Sequence, residues 1–167
     1  IIAQAQSGTG KTGAFGIGTL QIVDSDTLST QALILAPTHE LATQIKQVIT
    51  SIGTYLKLNV KLLVGGVPVE KDREEMESNK PHIVIGTPGR VQDMIRRKYL
   101  TTKDLKLIVL AEADEMLSSG FNEQVYKILN SMPENIQVAL FSATMPPEVE
   151  KLANEFMLSP NKILVKT

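Results

Sequence analysis

Short, continuous apolar runs separated by helix-period segments constrain this chain more than any other feature. Ala32–Ala36, Val60–Val64, His82–Ile85, Leu107–Leu110 and Val138–Phe141 are the clearest runs, with shorter ones at Ile1–Ala3 and Ile163–Val165. A strand with one wet face alternates apolar and polar residues. A strand that is apolar at nearly every position is buried on both faces, the habit of parallel sheets. The clearest runs are each followed by a turn residue and a helical stretch. In one such stretch Leu41, Ile45, Val48, Ile49 and Ile52 recur with a 3.6-residue period, and Gly53 stops it. In another, Phe121, Val125, Ile128, Leu129 and Met132 repeat the pattern before Pro133. The alternation predicts a single α/β domain over 1–167, with a mostly parallel sheet of about seven strands and helices on both faces.

Composition narrows the chemistry. The 167 residues include no cysteine, which excludes disulfides, a thiol nucleophile and cysteine-ligated metals. The histidines, His39 and His82, are far apart in sequence and make a poor metal cage. No apolar run approaches the roughly 18 residues of a membrane span, so no membrane partner is expected. A net charge of −1 argues against a broad electrostatic nucleic-acid binder, so any such binding must come from a local constellation. The charged segment Glu70–Glu77 reads as a solvated helix face with local ion pairs.

In open α/β sheets, ligands bind beyond the carboxyl ends of the strands, so the turns after the strands carry the chemistry. After the first strand comes Ala5-Gln6-Ser7-Gly8-Thr9-Gly10-Lys11-Thr12. It fits the phosphate-loop pattern, with Ala5 in place of the usual first glycine. Gly8 and Gly10 let backbone N–H groups converge on phosphate oxygens. Lys11 reaches the terminal phosphates, and the Thr12 hydroxyl suits Mg²⁺. Gly8 to Gly13 also satisfies the dinucleotide fingerprint, but the second strand ends Leu35-Ala36-Pro37-Thr38 without the acid a ribose requires. That disfavours a nicotinamide-dependent oxidoreductase.

Leu107–Leu110 runs into Ala111-Glu112-Ala113-Asp114. A phosphate-loop enzyme uses acids at such a strand tip to hold the Mg²⁺ shell and orient the attacking water. Glu112 suits the water-positioning role, whereas the Ala111 methyl cannot bind a metal. Read alone, Glu112 and Asp114 fit helix capping equally well.

Taken together, the phosphate loop, Pro37-Thr38-His39-Glu40-Leu41-Ala42, Gly65-Gly66, Thr87-Pro88-Gly89-Arg90, Ala111–Asp114 and Ser142-Ala143-Thr144 resemble the ordered motifs of the DEAD-box RNA helicases. The longer phrases Ala3–Gly13 and Ala113–Phe121 are similar to the translation initiation factor four-A branch. The resemblance implies a RecA-like phosphate-loop NTPase domain, the N-terminal one of two, in an ATP-dependent RNA helicase. It implies ATP and Mg²⁺ on Ala5–Thr12, with Lys11 and Glu112 catalytic and Thr12 on the metal. Pro37, Thr38, His39, Gly65, Gly66, Thr87, Pro88, Gly89 and Arg90 would hold the RNA backbone. Asp114, Ser142, Ala143 and Thr144 would couple nucleotide state to unwinding. Helix N-termini, glycine N–H groups and threonine hydroxyls grip phosphates rather than base edges, so single-stranded or duplex RNA would be bound without sequence preference.

The chain departs from the family at two motif positions. Ala111 stands where the family has the lead aspartate, and His39 where it has arginine, which removes a guanidinium fork. The family's adenine-reading Q motif and its second RecA-like domain are expected outside these 167 residues. The isolated chain is therefore expected to show negligible ATPase and no unwinding. Implied partners are the second domain and proteins of translation initiation or RNA processing, in the cytoplasm or alternatively the nucleus. Two rival readings stay open: a catalytically silent ATP- and RNA-binding module, which Ala111 favours, and another phosphate-loop ATPase or nucleotide kinase.

Overall fold

Every paired strand runs parallel to its neighbours. The structure, a computed structural model, describes residues 1–4, 11–158 and 162–164; Lys11, Thr12, Ala14, Phe15 and 162–164 are described by backbone alone. The strands are β1 (Ile2–Gln4), β2 (Ala32–Leu35), β3 (Val60–Leu63), β4 (Ile83–Gly86), β5 (Leu107–Leu110), β6 (Gln137–Ser142) and β7 (Lys162–Leu164). The sheet order is β3-β4-β2-β5-β6-β1-β7. β1 to β6 form its body, and β7 adds a three-residue edge along β1. These strands fall within about one residue of the apolar runs. Val165, the end of the last run, lies outside the described residues.

The helices are α1 (Lys11–Ile22), α2 (His39–Ile52), α3 (Val69–Ser78), α4 (Pro88–Arg96), α5 (Ala113–Ser118), α6 (Asn122–Asn130) and α7 (Pro147–Phe156). Successive strand side chains point to opposite faces, and each face has its own core. On one face Ala32, Ile34, Ile83, Ile85, Leu107 and Val109 pack with Leu20 of α1 and Ala42, Ile45 and Ile49 of α2. On the other, Leu33, Leu35, Val84, Ile108, Leu110 and Leu140 pack with residues of α3 to α7. Of the apolar stripe read from Glu40 to Gly53, Ile45 and Ile49 are buried together with Ala42, Leu41 and Val48 are half-buried, and Ile52 at the last turn is exposed. Ile45 and Ile49 are fully buried there, each contributing about 1.5–3 kcal/mol. The Gly53 N–H closes the helix on the Ile49 carbonyl at 2.8 Å.

One expectation needs correction. The Glu70–Glu77 segment forms α3, and Arg73 pairs with Glu70 and Glu77 at its surface. Asp72 in its midst, however, is buried, on the face that also carries the buried Met76. The segment is not a uniformly solvated face.

Topology locates the candidate site. From β1 the chain crosses by α1 over one face toward β2. From the adjacent β6 it crosses by α7 over the opposite face to β7. Their connections leave over opposite faces, and the carboxyl ends of such strands, here Gln4 and Ser142, partners in register, are where open α/β sheets bind ligands. Among the described residues no helix is long and apolar enough to cross a membrane.

Candidate functional site

The described motif turns emerge at one edge of the sheet. Leu35 is in register with Gly86 and Leu110, Leu63 with Gly86, and Leu110 with Leu140. The segments after these residues therefore line up along the strand ends. Ala5 to Gly10 lie outside the described residues. Lys11 and Thr12 are the first two residues of α1, and their side chains are likewise outside the description.

Pro37 is buried, and Thr38 is the N-cap of α2. The Thr38 hydroxyl oxygen accepts the Leu41 N–H at 3.1 Å, which leaves its own hydrogen to donate outward. His39, the first helical residue, is exposed. The first N–H groups of a helix have no intrahelical acceptor, so this N-terminus carries unspent donors and positive dipole. α4 repeats the device with a difference. Its N-cap, Thr87, makes no side-chain capping bond, and Pro88 fills the first turn. Gly89 is exposed. At the end of the edge strand β3, next to the turn that starts α4, lies the Gly65–Gly66 turn, with Gly66 at φ +89°, a conformation that disfavours any side chain. At Gly65 and Gly89 an added Cβ would meet nothing within 4 Å.

Arg90, expected at the same surface, turns inward instead. One nitrogen donates to Asp72 Oδ2 at 2.7 Å and another to the Val67 carbonyl at 2.6 Å. Lys61 of β3 reaches the same carboxylate at 3.0 Å and also pairs with Glu75. Burial pulls the Lys61 ammonium down, but its bonds to Glu75 and Asp72 outweigh this and leave its pKa raised. Asp72 and Lys61 escaped the sequence reading. The available signal was the position of Asp72 on the stripe between Val69 and Met76, where a solvated acid is out of place.

At the tip of β5, Ala111 is 3% exposed and belongs to the apolar cluster of Val109 and Phe141. Glu112 follows in the left-handed region, at φ 54° and ψ 57°. For a residue with a Cβ this costs about 1 kcal/mol or more, and such strain gathers at functional sites. Asp114 is committed elsewhere. Its Oδ2 accepts the Thr144 hydroxyl at 2.9 Å and the Thr144 N–H at 3.1 Å. Its N–H donates to Ser142 Oγ at 3.2 Å, and that hydroxyl donates to the Thr144 carbonyl at 2.7 Å. The Ala143 carbonyl accepts from Gln4 Nε2 at 3.4 Å, which ties the ends of β1 and β6.

The described residues at this tip form no all-protein cage for a divalent cation. Mg²⁺ asks for hard oxygen ligands in near-octahedral order. Ala111 offers a buried methyl, Asp114 is bound to Thr144, and no group of three or more His, Asp or Glu residues gathers among the described residues. Glu112 is the carboxylate at this tip without a hydrogen-bond partner among the described residues.

A family model, DEAD/DEAH box helicase, matches residues 1–152. The chain belongs to this family. Among curated relatives of this DEAD-box chain is the "ATP-dependent RNA helicase eIF4A" of Scheffersomyces stipitis, 55% identical over 99% of the chain and 42% of the relative. "Eukaryotic initiation factor 4A" of Caenorhabditis elegans is 51% identical over 99% of the chain and 41% of the relative. The crystal structure of a DEAD box protein from Methanococcus jannaschii superimposes with a TM-score of 0.92 at 39% identity, covering 99% of this chain and 45% of that one. The DEAD-box chain thus spans less than half the length of these relatives, and its fold is the RecA-like α/β fold they share.

Proposed function

We propose that this chain is the ATP-binding RecA-like domain of an ATP-dependent RNA helicase that grips RNA by its phosphates. One observation carries the reading: the turns after β2, β3 and β4 open on one strand-end edge, beside the Asp114–Thr144 link. The α2 and α4 N-termini, the Thr38 hydroxyl and the Gly65–Gly66 and Gly89 backbone offer donors and room, and none of them reads a base. Gly65 and Gly89 support this, since open space and an ordinary φ give the fold no reason of its own for glycine there. ATP takes the phosphate loop through Lys11 and its neighbours. Glu112 orients the hydrolytic water. Asp114, Ser142 and Thr144 report nucleotide state from the tip of β5 to that of β6.

The relatives' greater length supports a second RecA-like domain as the partner that completes the RNA grip, with little turnover by the 167-residue chain alone. Their names support a role in translation initiation, hence the cytoplasm, with nuclear RNA processing as the alternative. Initiation or RNA-processing proteins are the further partners this role brings.

The nucleotide dependence of RNA binding tests the proposal. Affinity for single-stranded homopolymer RNA rises with a non-hydrolysable ATP analogue, and Lys11→Ala abolishes the rise. RNA binding indifferent to nucleotide overturns it.

Ala111 favours a second reading, a clamp that binds ATP and RNA but turns over slowly. In Ala111→Asp the new carboxylate enters an apolar site, so the nucleotide-free variant loses about 2 kcal/mol of stability. Mg²⁺–ATP then raises its Tm more than that of the unsubstituted protein, and RNA-stimulated hydrolysis, measured with the second domain attached, increases. Equal rates and equal Tm shifts exclude the slow clamp.

A further inference from the structure

Asp72 is the one buried carboxylate among the described residues, 2% exposed. A buried ion pair is weak evidence for stability, because removing charges from water offsets most of their attraction. What this group does is join segments. Asp72 lies on α3, Lys61 on β3 and Arg90 on α4, and the second branch of Arg90 holds the Val67 carbonyl. Val67 follows directly on the Gly65–Gly66 turn, and Arg90 directly on Thr87–Gly89. Two turns far apart in sequence are thus fastened to each other beneath the surface. The planar guanidinium suits the task, since it donates in two fixed directions at once, as an ammonium cannot.

We propose that Asp72 and Lys61 are positioning residues for RNA, holding Arg90 across the β3–α3 turn so that Gly65–Gly66 and the N-terminus of α4 meet the RNA backbone as one rigid grip. Arg90 then works from inside the fold rather than by touching a phosphate. This rests on the RNA reading of these turns. Phosphate spacing along a strand is fixed, so two donor sets help each other only when their separation is fixed too.

The test combines homopolymer RNA binding, in the presence of the ATP analogue, with amide hydrogen exchange. In Asp72→Asn the Gly65 and Gly66 amides exchange about tenfold faster while those of β2 and β5 do not change, and RNA affinity falls about tenfold. Arg90→Lys, which keeps the charge but loses the fork, weakens RNA as much as Arg90→Gln. The double variant Asp72→Asn/Arg90→Gln is no weaker than either single one. Arg90→Lys binding RNA normally while Arg90→Gln does not would establish a direct charge contact and overturn the proposal. Faster exchange throughout the sheet of Asp72→Asn would reduce the group to a general stabiliser and overturn it as well. If Asp72→Asn does not fold, the two Arg90 variants decide. Thr38→Ala, outside the network, separates the two levels. Weaker binding there with normal binding in Asp72→Asn keeps the RNA reading and ends this proposal. No RNA binding by the unsubstituted protein ends both.

Discussion

Thr144 donates twice to a single oxygen of Asp114, from its hydroxyl at 2.9 Å and its backbone N–H at 3.1 Å. With Ser142 bonded to both residues, the ends of β5 and β6 form one hydrogen-bonded circuit. Burial pushes the Asp114 carboxyl up. The bonds from Thr144, Glu115 and Ser142 pull it down and prevail, leaving its pKa below the ordinary 3.8. A depressed folded-state pKa gives stability that is complete above the unfolded value and is lost as pH falls through the folded one. Thr144→Ala should therefore raise the Asp114 pKa toward 3.8 and cost about 1 kcal/mol at neutral pH. NMR titration of the Asp114 carboxyl checks this; an unmoved titration would contradict the circuit.

Glu112 holds a left-handed backbone that glycine adopts without strain. Glu112→Gly should stabilise the fold by up to about 1 kcal/mol in urea denaturation, while removing the carboxylate proposed above to orient water and, with the second domain present, the ATP turnover that depends on it. A residue kept against its own backbone preference is expected to trade stability for function in this way. Loss of stability in Glu112→Gly would show that the carboxylate serves the fold instead.

Gly86 is fixed by packing. A Cβ there would sit 2.4 Å from the Leu63 carbonyl oxygen and 2.6 Å from Val91 Cγ2. The first is backbone of the paired strand and cannot swing away, so Gly86→Ala should cost about 1–3 kcal/mol or prevent folding. Gly89→Ala, three residues on in open space, should leave stability within about 0.5 kcal/mol and weaken only RNA binding. Chemical denaturation of both variants gives the comparison.

What the sequence made legible follows from the range of the forces involved. Continuous apolar runs mark the strands to within about a residue; β2, β4 and β5 are buried on both faces as expected, whereas β3, at the sheet edge, is only half-buried over Val60–Leu62. The α2 stripe and its Gly53 stop are local patterns, and the helix and its stop follow them, although Ile52 of the stripe is exposed. The motif turns were legible because a parallel sheet must put every strand end on one edge. Asp72 was not, because its partners Lys61 and Arg90 stand 11 and 18 residues away on other elements, beyond any i,i+4 rule. The inward turn of Arg90 was hidden for the same reason. No residue pattern announces the left-handed Glu112, since glutamate has no preference for that region. Ala111 was legible as an anomaly from its type alone, and the fold adds that its methyl is buried among apolar neighbours.

Hydrogen exchange with and without single-stranded homopolymer RNA, in the presence of an ATP analogue, is the most direct test of a phosphate grip along the strand ends. Protection should appear together at 38–40, 65–67 and 87–90, equally for polyuridine and polyadenosine. It should be absent at the opposite edge, where the buried Gln31 side chain holds the 24–27 loop. Protection confined to that opposite edge, or dependent on base identity, would contradict the grip.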